Sequence, residues 1–227
     1  MLIGALQKFS LIDFPGKICA TVFTQMCNFR CPYCHNPELV NPDLFVEPIL
    51  EEDIFSFLES RRGKLDGVTI TGGEPTLHPD LPEFIRKIKA MNFLVKLDTN
   101  GTNPKMLEYL FKENLVDFVA MDLKAPKNIY SKITRNNCQI ENIINSVNII
   151  RENSPDYEFR TTIVNELLNE EDIYQIEKDF GPFKKYSLQK FHSDKILDLS
   201  FKNNTSFSDE TFEKIKSKLK TKNFLIR

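Results

Sequence analysis

Three cysteines stand within eight positions of the chain, in the stretch "CNFRCPYCHN" that covers residues 27–36. Cys27, Cys31 and Cys34 have the spacing C-x3-C-x2-C. Structural zinc normally has four ligands, whereas a cubane iron–sulfur cluster takes one thiolate per iron. His35 is a candidate fourth zinc ligand, but it directly follows Cys34 and fits a tetrahedron poorly. The spacing favours a cluster with one iron open to a ligand, over zinc and over three unrelated buried thiols.

Other residues suited to binding or catalysis follow short apolar runs. These stretches are "TGGEP" (71–75), "DTNG" (98–101), "MDLK" (121–124) and "FH" (191–192). In the first of them, Gly72 and Gly73 allow close approach of a ligand to the backbone, and Glu74 offers a carboxylate to a ligand ammonium. A plain turn is the alternative, because Gly-Gly and Glu-Pro both favour turns. The position behind the cysteine loop favours the binding interpretation.

The elements that position these residues alternate along the chain. The predicted strands are residues 17–24, 67–70, 93–98, 117–123, 158–164 and 186–191. Stretches with helical spacing of apolar residues lie between them, as in "HPDLPEFIRKIKAM" and "IENIINSVNIIREN". Alternating strands and helices predict an α/β fold with a parallel sheet, either an open doubly wound sheet or a partly closed barrel. Because active sites form at the carboxyl ends of such strands, the sequence predicts an enzyme.

The length of 227 residues is sufficient for one substantial core, in either one large α/β domain or two small ones. A net charge of −2 gives no electrostatic basis for binding nucleic acid or an anionic membrane. The start "MLIGALQKFS" does not resemble a signal peptide, and no apolar run approaches the roughly 20 residues that span a bilayer. We therefore expect a cytoplasmic protein. The lysine-rich C-terminal stretch fits the solvated face of a helix better than a binding patch.

The cysteine spacing, with the aromatic Tyr33 before the last cysteine, resembles the signature of the radical S-adenosylmethionine (radical SAM) enzymes. In that family, the amino and carboxylate groups of the methionine moiety chelate the open iron of a [4Fe–4S] cluster. The resemblance therefore implies that the three cysteines hold such a cluster and that S-adenosylmethionine supplies the missing ligand. "TGGEP" resembles the glycine-glycine-glutamate motif of the family. The residues that the resemblance implies as S-adenosylmethionine contacts here are Tyr33, His35, Gly72, Gly73 and Glu74.

The stretches "LDTNG" and "AMDLK" resemble those of the glycyl-radical-enzyme activases, such as the activating proteins of pyruvate formate-lyase and of anaerobic ribonucleoside-triphosphate reductase. "DFPG" (13–16) and "CHNPELV" resemble the same group. Within the group, the sequence most resembles the activating proteins of anaerobic ribonucleoside-triphosphate reductase, whose longer form has about this size. The resemblance covers about residues 1–195. It implies a single radical SAM domain over residues 1–227, with a core at about 15–195 and a C-terminal helix and tail at about 205–227. It implies a partial (β/α)6 TIM-like barrel with parallel strands.

The activase resemblance also assigns residues at the strand ends. It implies that Asp98, Thr99 and Asp122 lie near S-adenosylmethionine and a bound monovalent cation, since oxygen ligands suit a hard cation. Lys124 and His192 match positions that contact S-adenosylmethionine in that group. A lone histidine after a strand also fits a surface or packing role.

The reaction implied by the resemblance begins when flavodoxin or ferredoxin donates one electron to the cluster. Cleavage of S-adenosylmethionine then gives methionine and a 5′-deoxyadenosyl radical, which abstracts hydrogen from a glycine of a partner enzyme. The expected partner is anaerobic ribonucleotide reductase, and another glycyl radical enzyme of the pyruvate formate-lyase type is the alternative. A small-molecule substrate, such as a deazapurine precursor, and a non-enzymatic module with a structural metal are further alternatives.

Two cysteines lie outside the motif. A second cluster would need about four thiolates, so Cys19 and Cys138 are too few to hold one. We expect Cys19 to be a buried strand residue and Cys138 to have no redox role.

Overall fold

The computed structural model describes residues 1–221 and 223–227, so the predicted C-terminal tail includes one residue, Lys222, outside the described part of the chain. Within the described residues, eight strands form one sheet whose spatial order is the order of the sequence. The strands are β1 (Ile3–Ser10), β2 (Cys19–Thr24), β3 (Gly67–Gly72), β4 (Leu94–Thr99), β5 (Phe118–Asp122), β6 (Tyr157–Ile163), β7 (Lys185–Lys190) and β8 (Asn223–Ile226). β1 pairs antiparallel with β2, and β2 through β8 are parallel.

Helices follow most of the parallel strands. They are α1 (Pro37–Val40), α2 (Glu51–Glu59), α3 (Leu81–Ala90), α4 (Pro104–Lys112), α5 (Tyr130–Thr134), α6 (Ile140–Asn153), α7 (Glu170–Phe180) and α8 (Asp209–Lys218). Short 3-10 helices cover Pro42–Leu44, Pro75–Leu77, Lys127–Ile129 and Leu199–Phe201. No helix of the described residues is long and apolar enough to cross a membrane.

The predicted α/β barrel is confirmed, and its six predicted strands are β2 to β7. Two strands at the edges of the sheet, β1 and β8, were not predicted. Within β1, Gln7, Lys8 and Phe9 are all exposed, so the strand lacks the alternation of buried and exposed residues that would have marked it. The expectation of only a helix and a tail after residue 205 was incomplete, because the chain returns to the sheet as β8 beside β7.

Alternation along the strands separates the two faces of the sheet. Apolar residues at alternate positions of the strands, such as Val22, Ile70 and Val119, belong to the main core with the helices. Residues between them point to the opposite, inner face of the partial barrel. This inner face is largely polar, as in β4 and β6, where Lys96 and Arg160 occupy inward positions.

The turn after β3 is fixed by close backbone contacts. The Gly73 N–H donates to the Thr24 carbonyl at 2.8 Å, and the Glu74 N–H donates to the Met26 carbonyl at 2.7 Å. A Cβ atom on Gly72 would meet the Thr24 backbone at 2.5 Å, and one on Gly73 would overlap the Met26 carbonyl. Gly72 also has φ +112°, which favours glycine. The two glycines thus allow the chain entering the cysteine loop to lie directly against this turn.

The carboxylate of Glu74 ties the turn after β3 to the turn after β4. Its Oε1 accepts from the Thr76 N–H at 3.1 Å, the Thr76 hydroxyl at 2.5 Å and the Thr99 hydroxyl at 2.8 Å. Its Oε2 accepts from the Asn100 N–H at 2.6 Å. The side chain is fully buried, and burial raises the pKa of Glu74 while these four hydrogen bonds oppose that rise.

His78 supports the same turn from behind. Its Nε2 lies 2.9 Å from the carbonyl oxygen of Gln25, the residue before Met26, so the ring donates to the backbone that leads into the cysteine loop. The side chain is buried, and burial lowers the pKa of His78 although the hydrogen bond to Gln25 opposes the shift.

Glu74→Gln should lower the free energy of unfolding of the cluster-free protein by about 2–4 kcal/mol. An amide nitrogen at the Oε2 position would face the Asn100 N–H, leaving two donors opposed in a buried place. Urea unfolding measures the loss. The matched control is Glu83→Gln on the exposed face of α3, which should change stability by less than about 0.5 kcal/mol. Equal effects of the two substitutions would contradict this role of Glu74.

The stability of the cluster-free protein should also depend on His78 below about pH 6.5. Because the folded pKa of His78 lies below its unfolded value, its contribution is complete above the unfolded pKa and is lost as pH falls toward the folded pKa. Urea unfolding between pH 7 and pH 5 should show a smaller decline for His78→Gln than for the wild type. His192→Gln, at an exposed position, is the control and should retain the wild-type decline. Identical declines in wild type and His78→Gln would refute the prediction.

Candidate functional site

A polar cavity of about 420 Å³ lies at the carboxyl ends of the parallel strands. The predicted site residues that line it are Cys27, Cys31, Tyr33, Cys34, His35, Gly72, Gly73, Asp98, Thr99, Asp122 and Lys124. They come from the last residues of four consecutive strands, β2 to β5, and from the segments that follow them. The parallel sheet therefore brings together eleven of the thirteen residues that the sequence singled out.

Glu74 and His192 are the two predicted site residues that do not line this cavity. The Glu74 carboxylate is turned into the protein, where all of its described hydrogen bonds go to Thr76, Thr99 and Asn100. His192 is exposed and lines a neighbouring pocket of about 260 Å³. That pocket shares three residues with the main cavity, which are His35, Thr162 and Gln189.

The cysteine loop is held by hydrogen bonds to the turn after β4 and to the end of α5. Asn28 donates from Nδ2 to the Thr102 hydroxyl at 2.9 Å and accepts at Oδ1 from the Asn100 amide at 2.8 Å. The Asn136 amide donates to the Asn28 carbonyl at 2.7 Å. These contacts place residues 27–34 over the ends of the strands.

A third anchor comes from the segment after β7. The Leu197 N–H donates to the Cys34 carbonyl at 3.0 Å, and the Asp198 N–H donates to the Pro32 carbonyl at 3.0 Å. Beside this segment, the rings of His35 and Phe191 stack with centroids 5.7 Å apart. The cysteine loop is thus enclosed between distant parts of the chain.

The three thiols are poor metal ligands until they lose their protons. Burial raises the pKa of Cys27 to about 12 and that of Cys31 to about 11, and burial also raises the pKa of Cys34. Thiolates in this cavity therefore require a compensating positive charge, which iron ions would provide, and binding would release protons.

Within the described residues, no group of three or more His, Cys, Asp or Glu side chains is arranged to bind a single metal ion. A cubane cluster takes its thiolates on different irons, so its three ligands need not converge on one point.

Tyr33 lies beside the thiols, but its hydroxyl is enclosed by the protein. The residue is 5% exposed and lines the cavity, whereas its hydroxyl is buried and has no hydrogen-bond partner of normal geometry in the described part of the chain. Burial raises the pKa of Tyr33, so the hydroxyl is neutral.

The wall opposite the cysteines carries a network of charges. The Arg160 guanidinium donates from Nε to Asp122 at 2.8 Å and from Nη1 to Asp98 at 3.2 Å. Lys124 donates to Asp122 at 3.1 Å, and Lys96 pairs with Asp98. Burial alone would raise the pKa of Asp122, but the charges of Arg160 and Lys124 lower it well below its ordinary value.

Several cavity residues were not predicted from the sequence. They are Asp13, Phe29, Asn36, Val40, Thr71, Asn100, Arg160, Thr162 and Gln189. Arg160 and Thr162 occupy alternate positions of a strand whose other positions are apolar or buried. An arginine in the middle of a barrel strand was therefore the available signal, and the prediction missed it because it considered only strand ends.

The donor set fits an iron–sulfur cluster with S-adenosylmethionine. Three cysteines line one polar cavity with two glycines and with Asp98, Thr99 and Asp122. Lys124 offers an ammonium for a ligand carboxylate, and burial alone would lower the pKa of Lys124 while Asp122 raises it overall. Cys19 is fully buried in β2, and Cys138 is half-buried and packs against the main core, outside the residues that line the cavity.

Comparison with known proteins identifies relatives over most of the chain. The profile of the radical SAM superfamily matches residues 21–180. A Methanocaldococcus jannaschii protein named as a glycyl-radical enzyme activating enzyme, MJ1227, is 35% identical over 209 residues, or 88% of this chain and 84% of that protein. The pyruvate formate-lyase-activating enzyme of Clostridium pasteurianum is 34% identical over 128 residues, or 54% of this chain and 52% of that enzyme.

Solved structures agree in fold. Streptococcus suis SuiB bound to S-adenosylmethionine aligns with a TM-score of 0.66 at 14% identity, covering 90% of this chain and 48% of SuiB. The profile match and the relative that spans most of both chains establish the family. The chain belongs to the radical SAM superfamily, in the group of the glycyl-radical enzyme activating enzymes.

Proposed function

We propose that this protein binds a [4Fe–4S] cluster through Cys27, Cys31 and Cys34 and installs a glycyl radical on anaerobic ribonucleotide reductase. The observation that carries the proposal is the single cavity that these three thiols share with the residues at the ends of β3, β4 and β5. A cytoplasmic flavodoxin or ferredoxin is the proposed electron donor.

The cluster, when bound, would supply the electron that cleaves S-adenosylmethionine into methionine and a 5′-deoxyadenosyl radical. The protein's own residues bind and orient the reactants. The backbone of Gly72 and Gly73 offers hydrogen-bonding groups in the same cavity as the thiols. Lys124, on the opposite wall, offers the ammonium that a methionine carboxylate requires.

The surface near the cavity supports a protein substrate. Cys27 and Cys34 line the cavity and are partly exposed residues. Asp13 lines the cavity, while the two residues before it, Leu11 and Ile12, are 63% and 84% exposed. Large exposed apolar side chains beside a reaction cavity fit contact with another protein.

A glycyl radical enzyme of the pyruvate formate-lyase type is the alternative partner. The similarity of this chain to the pyruvate formate-lyase-activating enzyme of Clostridium pasteurianum favours this second candidate. Both candidates use the same cavity and the same chemistry, and they differ only in the protein that presents the glycine.

Electron paramagnetic resonance tests the proposal. After anaerobic reconstitution of the cluster, we expect the protein with S-adenosylmethionine, a reductant and the large subunit of the anaerobic reductase to give the doublet of a glycine-centred radical. Cys31→Ala should abolish the doublet, because one iron would lose its thiolate. The matched control is Cys138→Ala, outside the cavity, which should retain it.

Other outcomes discriminate between the candidates. A cluster signal that changes with S-adenosylmethionine but gives no radical on the reductase would reject that partner, and a pyruvate formate-lyase type enzyme would then be tested. Radical formation on neither protein, together with 5′-deoxyadenosine release on a small molecule, would reject the activase proposal. Stoichiometric zinc without iron after anaerobic purification would reject the cluster.

A further inference from the structure

The acidic residues that the family resemblance assigns to a monovalent cation are already neutralised within this chain. Asp98 and Asp122 end neighbouring strands, and each of their four carboxylate oxygens has a positively charged partner. Lys96 meets Oδ1 of Asp98, and Arg160 meets Oδ2 at 3.2 Å. Arg160 also meets Oδ1 of Asp122 at 2.8 Å. Lys124 meets Oδ2 of Asp122 at 3.1 Å.

The hydroxyl of Thr99, the third expected cation ligand, already has hydrogen-bond partners within the chain. Its hydroxyl donates to Glu74 at 2.8 Å and accepts from the Gly101 N–H at 3.1 Å. Thr99 is 3% exposed, so this hydroxyl is held in place by its surroundings. The oxygen atom keeps one lone pair, but it does not bring a negative charge.

Arg160 lies between the two carboxylates. Its guanidinium uses Nε for one and Nη1 for the other, and its side chain is only 12% exposed. A planar guanidinium suits two acceptors in this way, and it keeps its charge at every relevant pH. A sodium or potassium ion placed at the same carboxylates would meet the positive charges of Arg160, Lys96 and Lys124 at close range.

We infer that Arg160, with Lys96, takes the place of the monovalent cation, so that this protein binds S-adenosylmethionine without sodium or potassium. The inference rests on the proposed S-adenosylmethionine site but not on the identity of the partner enzyme. It differs from the expectation, implied by the family resemblance, that Asp98, Thr99 and Asp122 bind a monovalent cation.

Removal of Arg160 should create a requirement for sodium or potassium, which we expect the wild type to lack. In Arg160→Gln the two carboxylates keep only their lysine partners, so a gap is left where the guanidinium bridged them. A small cation could then bind there and stabilise both the fold and the ligand complex. The matched control is Arg135→Gln, whose arginine is 46% exposed and pairs with Asp198 away from this network.

The experiment compares sodium, potassium and tetramethylammonium chlorides at equal ionic strength. The first measurement is the unfolding temperature of the cluster-free protein, and the second is the Kd for S-adenosylmethionine of the cluster-loaded protein. For the wild type and Arg135→Gln, we expect the same unfolding temperature and the same Kd in all three salts. For Arg160→Gln, we expect a higher unfolding temperature and about tenfold tighter S-adenosylmethionine binding in sodium or potassium than in tetramethylammonium.

Two results would overturn the inference. One is a wild-type protein whose unfolding temperature or S-adenosylmethionine affinity rises saturably with sodium or potassium. The other is a folded Arg160→Gln protein that does not respond to either ion. If Arg160→Gln does not fold, Lys96→Met takes its place in the same comparison.

The result remains distinguishable from a failure of the proposed function. Absence of S-adenosylmethionine binding in every salt would reject the proposed function, while the unfolding temperatures would still report cation binding. Absence of a glycyl radical would leave both measurements unaffected.

Discussion

The inner face of this barrel depends on the pairing of buried charges. Lys96 is 2% exposed and Arg160 is 12% exposed, and each is tolerated there because it meets a carboxylate. Breaking one such pair leaves an uncompensated charge, which typically costs about 3–5 kcal/mol. Asp98, Asp122 and Arg160 come from three consecutive strands, so the same ion pairs that permit their burial also fix the ends of those strands relative to one another. The cavity wall is thereby set before any ligand binds.

The cysteine loop is positioned by a different set of interactions. The Asn28 side chain donates a hydrogen bond to the turn after β4, and the Asn28 carbonyl accepts one from the residues that follow α5. The Cys34 carbonyl accepts a hydrogen bond from the segment after β7. The turn of Gly72 and Gly73 lies against the entry to the loop, with Glu74 fastened behind it. Contacts between distant parts of the chain thus bring the three cysteines to one cavity.

The sequence predicted the strands that carry the site and most of the residues around the cavity, because strand ends with unusual residues are local features. It did not predict β1, whose run of exposed residues lacks a clear period, or the short β8. Both are edge strands. β8 is defined by pairing with β7, where Asn223 lies opposite Lys185, and a local pattern does not encode a partner so far away in the chain. Glu74 shows a similar limit. Its motif indicated a ligand contact, whereas the carboxylate binds Thr76, Thr99 and Asn100, two of which belong to the turn after another strand.

Because a local motif does not encode contacts with distant residues, the stretches that contain Asp98 and Asp122 do not identify the group that neutralises these two carboxylates. Two carboxylates at neighbouring strand ends concentrate negative charge, and any cation of suitable size and geometry can neutralise that charge. The residue that neutralises the two carboxylates here is Arg160, which lies 38 positions after Asp122 in the chain and belongs to a separate strand. A role carried over from a motif therefore holds only when the residues on the neighbouring strands are known as well. In this protein the neighbouring strand β6 supplies a fixed cation, and its guanidinium joins the two carboxylates in one arrangement that a mobile ion would have to displace.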